Sequence, residues 1–172
     1  MAARSAAGAK RSARADVHGA SARLAVALEQ LLRDARSVAS YVPLSGEPGV
    51  PPRAGWLLPV LRPDGDLDWA VYDGRLVPGR YGLQEPGGPR RGVDAASACD
   101  VVLVPALLVD RRGHRLGRGG GAYDRALPRT TGLRIALLHD SELVDELPVE
   151  PHDVRVHAAA TPLLGVVRLW QG

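Results

Sequence analysis

Five glycines and two arginines fall within Gly113–Gly121, and Ala122-Tyr123-Asp124-Arg125 follows at once. Glycine takes positive φ without steric penalty and lets successive N–H groups converge, so the run reads as a concavity for an anion. Arg115 and Arg118 add forked donors suited to phosphate oxygens. Ala122 opens a short helix, predicted to reach Leu127 before Pro128, whose N-terminus adds positive potential. The loop has none of the common phosphate-binding forms. No lysine follows the glycines as a Walker A loop requires, and Gly117-x-Gly119-x-x-Ala122 is an imperfect dinucleotide fingerprint without its acidic partner. A plain glycine linker is the competing reading, but linkers seldom carry arginines or stand between a buried strand and a helix start.

Elements on either side must hold this loop. Upstream, Val101–Val109 is a continuous apolar run, as expected of one strand covered on both faces. Leu24, Ala27, Leu28, Leu31, Leu32 and Ala35 recur at helical spacing and predict an amphipathic helix from Ser21 to Arg36 lying on a sheet. Ser37–Pro43 reads as a strand stopped by proline, and Glu47 falls in the Pro- and Gly-rich loop just past its end. Ligands bind outside the carboxyl ends of strands in open α/β sheets, which places Glu47 well, although a solvated loop glutamate is the plainer reading of such a residue. Ala54–Leu61 is a short strand candidate, and Pro63–Tyr72 reads as a turn followed by an alternating edge strand with antiparallel character. Gly74–Gly92 shows no periodicity and reads as a long loop. Gly132–Asp140 is the next buried strand, and residues 154–159 make the last. Trp56, Trp69, Tyr72 and Tyr81 could stack on a flat ring ligand, but aromatics at strand spacing are more often packing residues and none is assigned to a ligand. Alternating strands and helices give an α/β class with a mainly parallel sheet.

Composition bounds the rest. A chain of 172 residues fits one domain, 1–172. With no Phe, its core must come from Val, Leu, Ala and Ile. A net charge of +3 suits a small polyanionic ligand and is too mild for nucleic acid. The single cysteine, Cys99, excludes an intrachain disulfide and reads as a small buried residue at a strand start. No apolar run is long enough for a membrane span, and the N-terminus lacks a signal-peptide core. A cytoplasmic, monomeric enzyme is expected, with residues 1–9 disordered.

Arg115-Leu116-Gly117-Arg118-Gly119-Gly120-Gly121-Ala122-Tyr123-Asp124-Arg125 resembles the RLGxGxGYYD signature of the 5-formyltetrahydrofolate cyclo-ligase family. Further matching pieces follow in the family's order: Lys10–Arg14, Tyr41-Val42-Pro43 with Glu47, Tyr81–Pro86, Asp100–Pro105, and Leu147-Pro148 with His152-Asp153. The resemblance implies a three-layer α/β/α sandwich. It also implies a magnesium-dependent ligase that uses ATP to cyclise 5-formyltetrahydrofolate to 5,10-methenyltetrahydrofolate, releasing ADP and phosphate. ATP phosphorylates the formyl oxygen, N10 of the folate attacks the activated carbon, and loss of phosphate leaves the methenyl bridge.

By the same resemblance, Lys10, Arg11, Ser12, Ala13 and Arg14 contact ATP, together with Arg115, Leu116, Gly117, Arg118, Gly119, Gly120, Gly121, Ala122 and Tyr123. Val42, Glu47, Arg118, Gly119, Gly120, Gly121 and Ala122 face the folate. Asp124 and Asp153 hold Mg2+, and Arg115 and Arg118 stabilise charge on the transferred phosphoryl group. Against these roles, Asp124 is also an acid in a first helical turn, and Asp153 could pair with Arg155. The signature's usual Tyr-Tyr is Ala122-Tyr123 here, so one ring is missing. The alternative function is a protein of this fold that binds a nucleotide or another polyanion without cyclising folate. An RNA-binding role for the basic N-terminus and glycine loop lacks interleaved exposed aromatics.

Overall fold

The computed structural model describes residues 16–148 and 154–169. Helix α1 spans Val17–Asp34. It begins before the predicted Ser21 because Asp16 caps it, accepting the Gly19 N–H at 2.8 Å, and Gly19 has no side chain to crowd that carboxylate. Ala20, Leu24, Leu28 and Leu32 form its buried stripe, and burying each leucine contributes roughly 2 kcal/mol. The stripe runs strictly every fourth residue, so Ala27 is left exposed while Ala25 packs on the core.

In chain order the strands are β1 (Val38–Ala39), β2 (Leu57–Leu61), β3 (Leu67–Val71), β4 (Leu76–Pro78), β5 (Gln84–Pro86), β6 (Arg90–Gly92) and β7 (Val101–Pro105). They continue as β8 (Leu108–Asp110), β9 (Arg115–Leu116), β10 (Leu133–Leu137), β11 (Leu143–Val144), β12 (Ala158–Thr161) and β13 (Gly165–Arg168). Eight of them form one sheet in the order β13-β12-β10-β7-β1-β2-β3-β6. From β12 to β2 the neighbours are parallel, and antiparallel pairings add β13 at one side and β3 and β6 at the other.

Alternation along β7 and β10 builds two cores. Val101, Leu103, Ile135 and Leu137 pack under α1. Val102, Val104, Ala136 and Leu138 point to the other face, against Trp69, Leu127 and Ala126 of the short helix α2 (Ala122–Ala126). A 3-10 turn at Leu127–Arg129 follows α2. Helix, sheet and short helices make the three α/β/α layers the resemblance implied.

Several sequence expectations need correction. Val101–Val109 is two strands, not one: Pro105 ends β7, and the chain crosses to β8 in a separate sheet ordered β11-β8-β9. An apolar run does not reveal such a break, because both pieces are buried. Gly74–Gly92 is not one long loop. It holds the β4–β5 hairpin and β6, whose pairing with β3 takes β3 away from the sheet edge. Its strands are three residues each, and β4 and β6 are exposed throughout, so no apolar alternation marks them. The strand expected at residues 154–159 is shifted to Ala158–Thr161, and a further edge strand, β13, follows it.

Candidate active site

A cleft of about 490 Å3 opens at the carboxyl ends of β1 and β7. One wall is the Pro43–Pro51 loop, the other the glycine-arginine loop, and the β4–β5 hairpin stands at the rim. Of the sequence-predicted residues, Val42, Glu47, Arg115, Gly117, Arg118, Gly119, Gly120, Gly121, Ala122, Tyr123 and Asp124 all line it. Leu116 does not; it is a ladder residue whose carbonyl accepts the Leu107 N–H at 2.8 Å. Lys10–Arg14 and Asp153 lie outside the described residues.

Glu47 is not the solvated loop acid that its sequence context predicts. Its side chain is 5 % exposed and meets Arg118, 71 positions away, with Arg118 Nε donating to Oε1 at 2.8 Å. The loop is folded so as to bury it. Glu47 N–H donates to Leu44 O at 2.9 Å while Oε2 accepts the Leu44 N–H at 3.0 Å. Tyr41 donates its hydroxyl to Pro48 O at 2.5 Å, and His139 Nε2 lies 3.1 Å from Gly46 O. A carbonyl can only accept, so that nitrogen carries the proton. These pins come from the ends of β1 and β10, elements the sequence places but whose reach to the loop it does not show.

On the opposite wall, Arg115 and Asp124 pair with each other. Arg115 is 4 % exposed, also donates to Pro105 O at 3.3 Å, and sits 5.9 Å over the Tyr123 ring. Asp124, in the first turn of α2, is 49 % exposed and presents its carboxylate to the cleft. The two groups that the resemblance assigns to phosphate and metal are therefore held in a fixed pair. Burial pushes the Tyr123 phenol up from its ordinary pKa; the Glu47 charge acts in the same direction and Arg115 opposes it. The Tyr123 hydroxyl has no hydrogen-bond partner among the described residues. Gly121 takes φ 70°, the left-handed conformation from which α2 starts, and Gly119 takes φ 100°; side chains at either would strain the loop.

Donor chemistry at the cleft suits magnesium held jointly with a phosphate. Among the described residues no three His, Cys, Asp or Glu side chains converge as an all-protein cage would need. Asp124 offers a half-exposed carboxylate, and magnesium commonly takes one or two carboxylates with its remaining positions on phosphate and water.

Tyr81, one of four aromatics that could stack on a ring but read in the sequence as packing by default, lines the cleft. Trp56 and Trp69 are core residues on opposite faces of the sheet, whereas Tyr81 is 89 % exposed at the cleft rim. It takes φ 53° and ψ 30°, Gly82 takes φ 75°, and Leu83 N–H donates to Arg80 O at 3.0 Å. That is a type I′ turn, whose first central position favours Asn, Asp or Gly. An aromatic residue placed there, burying little, has no folding rationale.

No helix among the described residues is long and apolar enough to cross a membrane. The model of the 5-formyltetrahydrofolate cyclo-ligase family matches residues 1–162. The chain is similar to the 5-formyltetrahydrofolate cyclo-ligase of Mycolicibacterium smegmatis, with 44% identity over 150 residues, 78% of this chain and 77% of the relative. It is also similar to that of Escherichia coli K12, with 36% identity over 143 residues, 74% and 79% of the two chains. In three dimensions it resembles the 5,10-methenyltetrahydrofolate synthetase of Aquifex aeolicus with a TM-score of 0.76, covering 99% of this chain and 93% of that one. Identity in that superposition is 24%, so the likeness speaks to the fold.

Proposed function

The chain belongs to the 5-formyltetrahydrofolate cyclo-ligase family, and from that premise we propose that it converts 5-formyltetrahydrofolate to 5,10-methenyltetrahydrofolate with ATP and magnesium. The observation that carries this reading is the meeting of Glu47 and Arg118 in one cleft. A folate-side loop and a phosphate-side loop are joined where a formyl oxygen and a γ-phosphoryl group must meet.

The formyl oxygen attacks the γ-phosphorus and the bond to the β-phosphate oxygen breaks, releasing ADP. N10 then attacks the activated carbon, the C–O bond breaks with phosphate as leaving group, and N10 loses its proton. Phosphoryl transfer asks chiefly for alignment and charge stabilisation. Backbone N–H groups from Gly117 to Gly121 would cradle the phosphate oxygens. Arg118, half in solvent, would turn from Glu47 to follow the charge on the transferred group. Arg115 is too enclosed to swing; it would fix Asp124 and hold the Tyr123 ring. Asp124, with Asp153, would hold magnesium, which when bound neutralises phosphate charge. Glu47 would accept from N–H groups of the pterin, and Tyr81 would supply the ring that Ala122 lacks.

The test is spectroscopic. Purified protein mixed with 5-formyltetrahydrofolate, ATP and magnesium should generate the methenyl absorbance, and omission of either ATP or magnesium should abolish it. Nucleotide binding with no methenyl product under any of these conditions would overturn the reading in favour of a polyanion binder.

A further inference from the structure

Arg125 stands one turn into α2, and its backbone N–H donates to Gly121 O at 3.1 Å. Its guanidinium bridges two carbonyls. Nη2 donates to Gly120 O at 2.9 Å and to Gly65 O at 2.8 Å, with Nε 3.3 Å from the latter. Gly120 belongs to the glycine-arginine loop and Gly65 to the turn between β2 and β3. Both line the cleft.

We propose that Arg125 is a positioning residue that clasps the glycine-arginine loop to the β2–β3 turn and so presets the anion cradle. This rests on the cyclo-ligase reading only for its kinetic consequence. Glycine runs have more conformational freedom than any other sequence, so a cradle made of them needs an external tie if it is to be formed before the ligand arrives. A cation on the Gly120 carbonyl supplies one. It also engages an oxygen that would repel an anionic ligand if it turned inward. The neighbouring glycines make room for it: a Cβ at Gly65 would lie 2.6 Å from Arg125 Nη2, and one at Gly121 would lie 3.0 Å from Nη1. Gly121, one of the glycines that read as ligand space, and Gly65 of the turn therefore both accommodate the arginine. Arg129, one helical turn later, supplies an internal control. It holds the same β2–β3 turn through Asp66 at 2.8 Å and lies 3.5 Å from Asp94, and its side-chain hydrogen bonds go to Asp66 and Arg125 O, not to the glycine loop.

The experiment compares R125A, R125K and R129A in the full chain by backbone amide NMR relaxation without ligand and by steady-state kinetics. In R125A the amide order parameters of residues 119–121 should fall from the rigid range of about 0.85 to below about 0.6, and the KM for ATP should rise about tenfold, as for a cradle whose competent population falls to about a tenth, with kcat little changed. R125K, which keeps a cation able to bridge two carbonyls, should recover most of both. R129A should leave both near wild type while lowering the unfolding midpoint. Unchanged order parameters with a raised KM would make Arg125 a direct nucleotide contact and overturn the proposal, as would an equal fall in R129A. Should R125A fail to fold, R125M, which keeps the stem and removes the donors, takes its place. A wild type without turnover would sink the cyclo-ligase reading, while relaxation would still judge the clasp.

Discussion

Truncating Arg118 to alanine tests the cleft at its most coupled point. Arg118 is 48 % exposed and Glu47 5 % exposed, joined at 2.8 Å. Removing one member of a fully buried pair destabilises by about 3–5 kcal/mol, because a buried charge is left without its counter-ion. A pair in solvent contributes about 0–1 kcal/mol. With one partner buried and the other half in water, about 1–2 kcal/mol is expected, moderated by the Leu44 N–H on Glu47 Oε2 and by the further interactions that Glu47 keeps. With a urea m-value of roughly 2 kcal/mol/M, the ligand-free unfolding midpoint should fall by roughly 0.5–1 M. R118A/E47Q should recover part of the loss, because the amide no longer needs a cation, and the double-mutant cycle should give a coupling of about 1 kcal/mol. Turnover should fall further, by about 100-fold or more, as when a transition-state donor is removed. A wild-type midpoint in R118A, or strict additivity in the cycle, would refute the claim that Arg118 neutralises Glu47 in the free protein.

The buried Asp110 accepts N–H groups from Arg112, His114 and Leu147 as well as His114 Nδ1–H at 2.8 Å. Burial raises its pKa, but those donors, His114 first, outweigh it and hold the carboxyl below its ordinary value. Its contribution is therefore present above the unfolded pKa of about 3.9 and is lost as pH falls through the lower folded value. D110N should destabilise by about 2–4 kcal/mol at pH 7, since its amide presents donors to donors, and should flatten the stability profile below about pH 4; equal acid sensitivity in D110N and wild type would refute this. Y123F should leave the unfolding free energy unchanged or raise it by up to about 1 kcal/mol, since it removes a buried hydroxyl lacking a partner among the described residues. A clear fall would mean that hydroxyl has a partner such as a buried water. D124N should shift the magnesium titration of ATP binding upward, and an unchanged titration would leave Asp124 only as the partner of Arg115.

What was legible in the sequence was what chemistry marks strongly. Glycine and arginine spacing placed one wall of the cleft, and Leu24, Leu28 and Leu32 placed α1 on the sheet. The burial of Glu47 was hidden, because it depends on Tyr41 and His139 reaching the loop from two strand ends. Tyr81 could not be told in the sequence from the packing aromatics Trp56 and Trp69, and its left-handed backbone and exposure set it apart. That Gly65 and Gly121 leave space for Arg125 could not be read from glycine content. The break after Pro105 and the short strands β4, β6 and β13 were lost because burial pattern, not strand identity, is what periodicity reports.

The central claim is that one cleft couples phosphoryl transfer to ring closure. It is tested most directly by measuring ADP and methenyltetrahydrofolate together in a single reaction with magnesium, ATP and 5-formyltetrahydrofolate. Formation of the two in equal amounts, with neither appearing when the folate is omitted, is the predicted result. ADP release that is indifferent to folate, or methenyl product formed without ATP, would contradict the account.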